Sequence, residues 1–252
     1  MSESVWQAYN PSKQALRQHI WAELQTNQAV DHDPRGHIPN FLGSEKAASQ
    51  LTSLEVWQTA QVIKCNPDKA QLPVRAAALQ AGKMLYMAVP RLIDEHCFVA
   101  LRQEWLPDAQ LDFAVAAEKK NVLKFGRPVT FAQMEPIDLL VVGCVAAAKS
   151  GGRTGKGAGF ADLELAMLQM FRRIKPTTKI ATTIHPLQLI PALMLPLENH
   201  DWPLDWICTP EQAIATHHTH PQPQGLDWDK IKPHQWDSIP VLKRLQAAEN
   251  LH

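Results

Sequence analysis

Apolar positions along this chain change their spacing several times, and each change marks an element. Leu16, Ile20 and Leu24 recur at helical spacing behind Ser12, which predicts an N-capped helix over about 13–24. Residues 28–43 are polar, with Pro34, Gly36 and Pro39, and read as a loop. A helix is expected over 45–58, then a short strand at Val62 and Ile63 that Asn66-Pro67 ends. Residues 73–81 read as a helix stopped by Gly82. Met84 to Val89 is an unbroken apolar run, suited to a strand buried on both faces and ended by Pro90-Arg91. Residues 94–126 carry no clear period, and 122–129 read as a hairpin-like excursion. Ile137 to Val145 predicts the central strand. Leu163, Met167, Met170, Phe171 and Ile174 predict a helix over 163–174, closed by Lys175-Pro176. Strands are expected at 179–184 and 193–197, and a last helix at 241–248.

Strands and helices alternate, and the strands are apolar throughout. That order predicts an α/β fold, a three-layer sandwich with a mainly parallel, Rossmann-like sheet and ligands at the carboxyl edge of its strands. Residues 1–11 read as a loose leader. The body is placed at 1–215, and 216–252 is read as an extension pinned to it by Trp228 and Trp236.

Between the predicted central strand and the following helix lies Gly151-Gly-Arg-Thr-Gly-Lys-Gly-Ala-Gly-Phe-Ala-Asp162, which holds five of the chain's eleven glycines. Glycine lets backbone approach a ligand closely, and a helix start presents unpaired N–H groups that favour an anion. Arg153 and Lys156 add two cations. A polyphosphate suits that chemistry, and Asp162 could hold a Mg²⁺ bridging its oxygens. The plain alternative is a surface turn with Asp162 as a helix N-cap. Two familiar phosphate loops are excluded. A P-loop would need glycine where Ser150 stands and Ser or Thr where Gly157 stands, and the dinucleotide fingerprint would need Gly or Ala where Phe160 stands.

Composition changes this picture little. Apolar content is 45%, charged content 20% and net charge zero, so no global charge excess points to nucleic acid or to a membrane surface. The cysteines, at 65, 97, 144 and 208, show no CxxC pair and read as buried reduced thiols of a cytoplasmic protein. The longest apolar run is too short to span a bilayer. His217, His218 and His220 sit beside Pro221 and Pro223 and read as a polar loop rather than a metal site. His200-Asp201 is open to two readings, a proton-handling or ligand-steadying pair and a structural corner. Lys13 and Arg17 share one helix face, and their spacing alone reads as a solvated basic face.

The glycine stretch resembles the ATP loop of the 5-formyltetrahydrofolate cyclo-ligase (methenyltetrahydrofolate synthetase) family. That loop reads approximately Arg-x-Gly-x-Gly-x-Gly-Tyr-Tyr-Asp-Arg. Arg153, Gly155, Gly157, Gly159 and Asp162 match, while Phe160, Ala161 and Leu163 depart. Lys13, Leu16 and Arg17 are similar to the family's opening Lys-x-x-Leu-Arg helix. Gly82, Lys83 and Pro90 match its Gly-Lys-strand-Pro segment, and Pro196, Glu198, His200 and Asp201 match its closing Pro-x-Glu-x-His-Asp. The resemblance covers roughly residues 13–215 and implies a cyclo-ligase fold of the NagB/RpiA/CoA-transferase-like kind. It implies ATP with Mg²⁺ as cofactors, and a small-molecule, folate-like substrate for a monomer or homodimer. Lys13, Arg17, Gly152, Arg153, Gly155, Lys156, Gly157, Ala158, Gly159 and Asp162 would hold the nucleotide, with Arg153 and Lys156 serving catalysis and Asp162 the metal. Asp68, Phe160 and Gln188 would face the second substrate. The family's Glu-x-x-Thr folate pair falls on Asp68 and Gln71. The family also has cyclo-ligase-like branches without the folate activity, one linked to thiamine metabolism, and the Phe160–Leu163 ending is similar to that branch. A non-catalytic nucleotide-binding regulator is the third reading.

Overall fold

The computed structural model describes residues 11–88, 96–107, 111–157, 159–195, 197 and 200–249. Among the sequence expectations, the leader at 1–10, the strand end at Pro90-Arg91, Ala158, Pro196 and Glu198 lie outside the described residues.

The helices are α1 (Pro11–Thr26), α2 (Ser44–Thr52), α3 (Glu55–Thr59), α4 (Leu72–Gln80), α5 (Phe113–Ala117), α6 (Val122–Phe125), α7 (Phe160–Met170), α8 (Pro233–Ser238) and α9 (Pro240–Glu249). The strands are β1 (Val62–Cys65), β2 (Met84–Ala88), β3 (Phe98–Leu101), β4 (Arg127–Val129), β5 (Ile137–Val141), β6 (Ala146–Ala148), β7 (Arg153–Thr154), β8 (Ile174–Thr183), β9 (Leu189–Ile190), β10 (Trp206–Cys208) and β11 (Ala213–Ala215). Eight of them form one sheet in the order β11-β10-β8-β5-β1-β2-β3-β4. Every pairing from β2 through β1, β5 and β8 to β10 is parallel, and antiparallel strands close both edges. The remaining three form a small sheet, β7-β6-β9.

Alternate residues of the strands feed two different cores, as a pleat requires. In β2, Met84, Tyr86 and Ala88 join a cluster with Leu165, Met167 and Leu168 of α7, while Leu85 and Met87 join one with Leu51, Val74 and Leu79 of α2 and α4. The sheet is therefore covered on both faces, which is why its strands carry unbroken apolar runs. The α7 side also takes in Ile231, Ile239, Val241 and Leu242. Ile239 and Leu242 are fully buried, each stabilising that attachment by roughly 1.5–3 kcal/mol. Trp228 and Trp236 stack on each other, centroids 5.7 Å apart.

Helix α1 buries its expected stripe of Leu16, Ile20 and Leu24, joined by Trp21, against Val145, Ala146 and Ala148. No helix among the described residues is long and apolar enough to cross a membrane.

Five sequence expectations are corrected. The helix foreseen over 45–58 is two, separated at Ser53-Leu54. The foreseen central strand leaves the main sheet after Val141 and resumes at Ala146 in the small one. Residues 122–129 are a short helix and an edge strand. Residues 192–194 form a 3₁₀ turn where a strand was expected. The helix foreseen over 163–174 stops at Met170, because Arg172 turns left-handed (φ 57°) and the N–H of Arg173 returns to Leu168 O (2.8 Å). Ile174 is then the first residue of β8, not the last of a helix. Pro176 fits in that strand because the register slips there, from Ile137 opposite Ile174 to Leu139 opposite Lys179.

Candidate functional site

Beside α7 lies a cavity of about 560 Å³. Its wall brings together Lys13, Arg17, Arg153, Gly155, Lys156, Gly157, Gly159, Phe160 and Asp162, residues from both ends of the body. The sequence expectation of a solvated basic face on α1 is overturned: Arg17 is only 4% exposed. Its Nε donates to Gly155 O (2.6 Å), Nη2 to Thr154 Oγ1 (2.9 Å) and Nη1 to Gln14 Oε1 (3.2 Å). One guanidinium thus anchors the glycine loop to α1. Desolvation lowers its pKa, but arginine remains charged throughout the physiological range.

Lys13 is held by Asp201, Nζ to Oδ2 3.0 Å, and the Asp201 carboxylate also lies 3.9 Å from His200 Nε2. Asp201 therefore ties α1 to the loop before β10, which favours the structural-corner reading of that pair. Arg153, 5% exposed, donates from Nη2 to Asp162 Oδ1 (2.5 Å) and from Nε to Trp202 O (3.3 Å). Lys156 is the most open of the four cations and reaches Asp68 Oδ1 at 3.6 Å.

The loop's geometry follows from its glycines. Gly159 is the N-cap of α7 with φ 72°, a conformation costly for other residues, and no side chain caps the helix. Asp162 is thus not an N-cap. It stands in the helix's first turn, where a carboxylate is favoured by the helix dipole, and it binds Arg153 instead. The first-turn residues Phe160, Ala161 and Asp162 line the cavity, and a helix start, whose N–H groups lack acceptors within the helix, is an arrangement that receives anions. Beneath the turn, Glu164 meets Lys64 of the central strand β1, and Lys64 also donates to Asn66 Oδ1 (2.6 Å). This buried pair ties α7 to the sheet.

Three expected residues, Gly152, Gln188 and Asp68, fall off the cavity wall. Gly152 lies off the cavity wall, in the turn between β6 and β7. A Cβ there would come 2.7 Å from Leu195 O, so its glycine serves backbone packing. Gln188 is 1% exposed, and its amide is spent on backbone: Nε2 donates to Cys144 O and Val145 O, and Oε1 accepts from His185 N. Asp68 stands behind Lys156 rather than on the cavity wall. Gln71, at the other family folate position, is buried with Nε2 3.2 Å from Thr183 Oγ1.

Among the described residues no group of three or more His, Cys, Asp or Glu is assembled as a metal cage. Mg²⁺ commonly takes one or two protein carboxylates and completes its shell with phosphate oxygens and water. A single carboxylate such as Asp162 is enough for that mode.

Sequence reasoning missed part of the wall altogether. Trp202 and residues from the 223–235 stretch, among them Leu226, Ile231, Lys232 and Gln235, also line the cavity. No periodicity or motif signalled them; only the two tryptophans hinted that this stretch returns to the body.

The model of the 5-formyltetrahydrofolate cyclo-ligase family matches residues 9–210. The chain belongs to that family. It is 34% identical over 241 residues to the methenyltetrahydrofolate synthase domain-containing protein of Mus musculus, and 34% identical over 245 residues to that of Homo sapiens. Those matches take in 94% and 96% of this chain, so they run past residue 210, where the family model ends. The chain spans 64% and 63% of those relatives' length. Among solved structures, Aquifex aeolicus 5,10-methenyltetrahydrofolate synthetase is similar in fold, with TM-score 0.50 and 18% identity, over 82% of this chain and 95% of that one.

Proposed function

We propose that the cavity binds the polyphosphate of ATP and that the chain is an ATP-dependent cyclo-ligase, converting 5-formyltetrahydrofolate to 5,10-methenyltetrahydrofolate. The observation that carries this reading is the convergence of Lys13 and Arg17 of α1 with Arg153 and Lys156 around the glycine loop and the start of α7. That convergence supports an anion-binding pocket; family membership supplies the anion.

In this reaction the formyl oxygen attacks the γ-phosphate and ADP leaves. The phosphorylated formyl carbon is then electrophilic, N10 of the folate attacks it, and inorganic phosphate departs. The protein's part is to position the two substrates and neutralise charge as it shifts between phosphate oxygens. Arg17 holds the Gly155 carbonyl and so keeps the loop's shape. The first-turn N–H groups of α7 and the Lys156 ammonium face the phosphates. Lys156 sits between the cavity and Asp68, well placed to follow the γ-phosphoryl group as it transfers. Magnesium bound with the nucleotide would draw charge from the β- and γ-phosphates, with Asp162 as its protein ligand.

A second reading keeps ATP and changes the other substrate. It is favoured by Asp68 and Gln71 at the family's folate positions, where Gln71 is buried and bonded to Thr183, and by Ala161 and Leu163 where the family loop carries tyrosine and arginine. Incubating the chain with Mg²⁺, ATP and 5-formyltetrahydrofolate separates the two. Methenyl absorbance rising with phosphate release supports the cyclo-ligase. ATP binding without either signal assigns the chain to the second reading, and no ATP binding at all discards both.

A further inference from the structure

The stretch 223–235 is built into the same wall as the glycine loop. Gly225 N donates to Gln169 Oε1 of α7 (2.6 Å), Ile231 is 8% exposed, and Leu226, Trp228 and Trp236 pack on the core beside α7. At the start of α8, Lys232 N donates to Gln235 Oε1 (2.9 Å). Gln235 is 4% exposed, and its Nε2 lies 3.2 Å from the point that a Cβ on Gly159 would occupy. The buried Gln235 side chain thus packs against the glycine that starts α7. Lys232 is held at the cavity wall by backbone geometry, not by the reach of a flexible tail.

Charge around the cavity gives that lysine a purpose. Lys13, Arg17, Arg153 and Lys156 are matched on the wall by Asp162, Asp201, Asp227 and Asp229, four cations against four carboxylates. Lys13 and Arg153 are already ion-paired with Asp201 and Asp162. A pocket for a polyphosphate needs an excess of positive charge, and Lys232 brings the wall to five cations against four carboxylates. Burial draws its ammonium below the ordinary lysine range, a penalty that a bound anion would relieve.

We propose that Lys232 is a further phosphate ligand of the nucleotide pocket, presented by a C-terminal strap that forms one of its walls. This rests on the nucleotide reading above. It extends the site beyond residue 210, where the family model ends, and it makes the 216–252 extension part of the binding machinery.

The test titrates the full chain, Lys232→Gln, Lys232→Arg and Lys156→Ala with ATP, inorganic tripolyphosphate and adenosine by calorimetry. Lys232→Gln is expected to weaken ATP and tripolyphosphate about 10-fold, the loss of one charge-assisted hydrogen bond. Adenosine binding and the unfolding midpoint stay unchanged, and Lys232→Arg keeps most of the affinity. If Lys232→Gln binds tripolyphosphate as tightly as wild type while Lys156→Ala does not, the strap ligand is refuted and the nucleotide reading stands. An equal loss for adenosine assigns the effect to packing and also overturns the proposal. If wild type takes up neither ATP nor tripolyphosphate, the nucleotide reading falls and the proposal with it.

Discussion

The Lys64–Glu164 pair offers a sharp quantitative test of how α7 is held. Lys64 is fully buried in the central strand β1, and the side chain of Glu164 is 9% exposed. Removing one partner leaves the other charge in a site with little water. Lys64→Met or Glu164→Leu should each cost about 3–5 kcal/mol, the range for breaking a buried ion pair. In a chain of this size that lowers the unfolding midpoint by roughly 6–20 °C. The double variant removes both charges and fills the space with apolar atoms, so it should recover most of the loss, to within about 1–2 kcal/mol of wild type. Chemical denaturation of the four proteins, followed by fluorescence, gives the cycle directly. If the two single losses add in the double variant to within about 0.5 kcal/mol, the pair does not couple and the account of how α7 is seated is wrong.

Other outcomes follow from the same geometry. Gly159→Ala forces a side chain into a φ of 72° against Gln235, so it should cost about 1–2 kcal/mol and weaken ATP binding; unchanged stability would show that the α7 start is not held as described. Burial raises the thiols of Cys65 and Cys144 to about 11 and that of Cys208 to about 12. A disulfide reagent at pH 7.5 should therefore label the folded chain at well under one thiol, and at all four cysteines once it is unfolded. His185 accepts the N–H of Leu187 at Nδ1 (3.2 Å), and burial lowers its pKa. Because the folded state favours the neutral ring, its contribution is complete above the unfolded value near 6.5 and is lost as pH falls through the lower folded value. His185→Gln should flatten the fall in unfolding midpoint between pH 7 and 5, and an identical slope in both proteins counts against this role.

What the sequence disclosed depended on whether the cause was local. The stripe Leu16, Ile20, Leu24 and the apolar run from Met84 carry their own periodicity, so α1 and β2 were legible. The glycine spacing from Gly155 to Gly159 marked the loop because left-handed backbone at a helix start asks for glycine. The stop of α7 was illegible because its left-handed residue is Arg172, which carries no turn signal. The burial of Arg17 was illegible for another reason: its acceptors, Gly155 O and Thr154 Oγ1, are more than 130 residues away, and sequence spacing on α1 shows only a shared face. Gln188 was placed at the substrate by the family resemblance, yet its donors and acceptor are consumed by backbone that only the folded chain brings near. The wall from 223 to 235 followed no pattern, since proline-rich segments that lie along a surface bury single residues, not a face.

The central claim is that polyphosphate lies between α1 and the glycine loop, and a crystal structure with a non-hydrolysable ATP analogue tests it most directly. The expected result is triphosphate within hydrogen-bond reach of the first-turn N–H groups of α7 and of the Lys156 ammonium. An analogue seated elsewhere, or a cavity without triphosphate at saturating concentration, would contradict it.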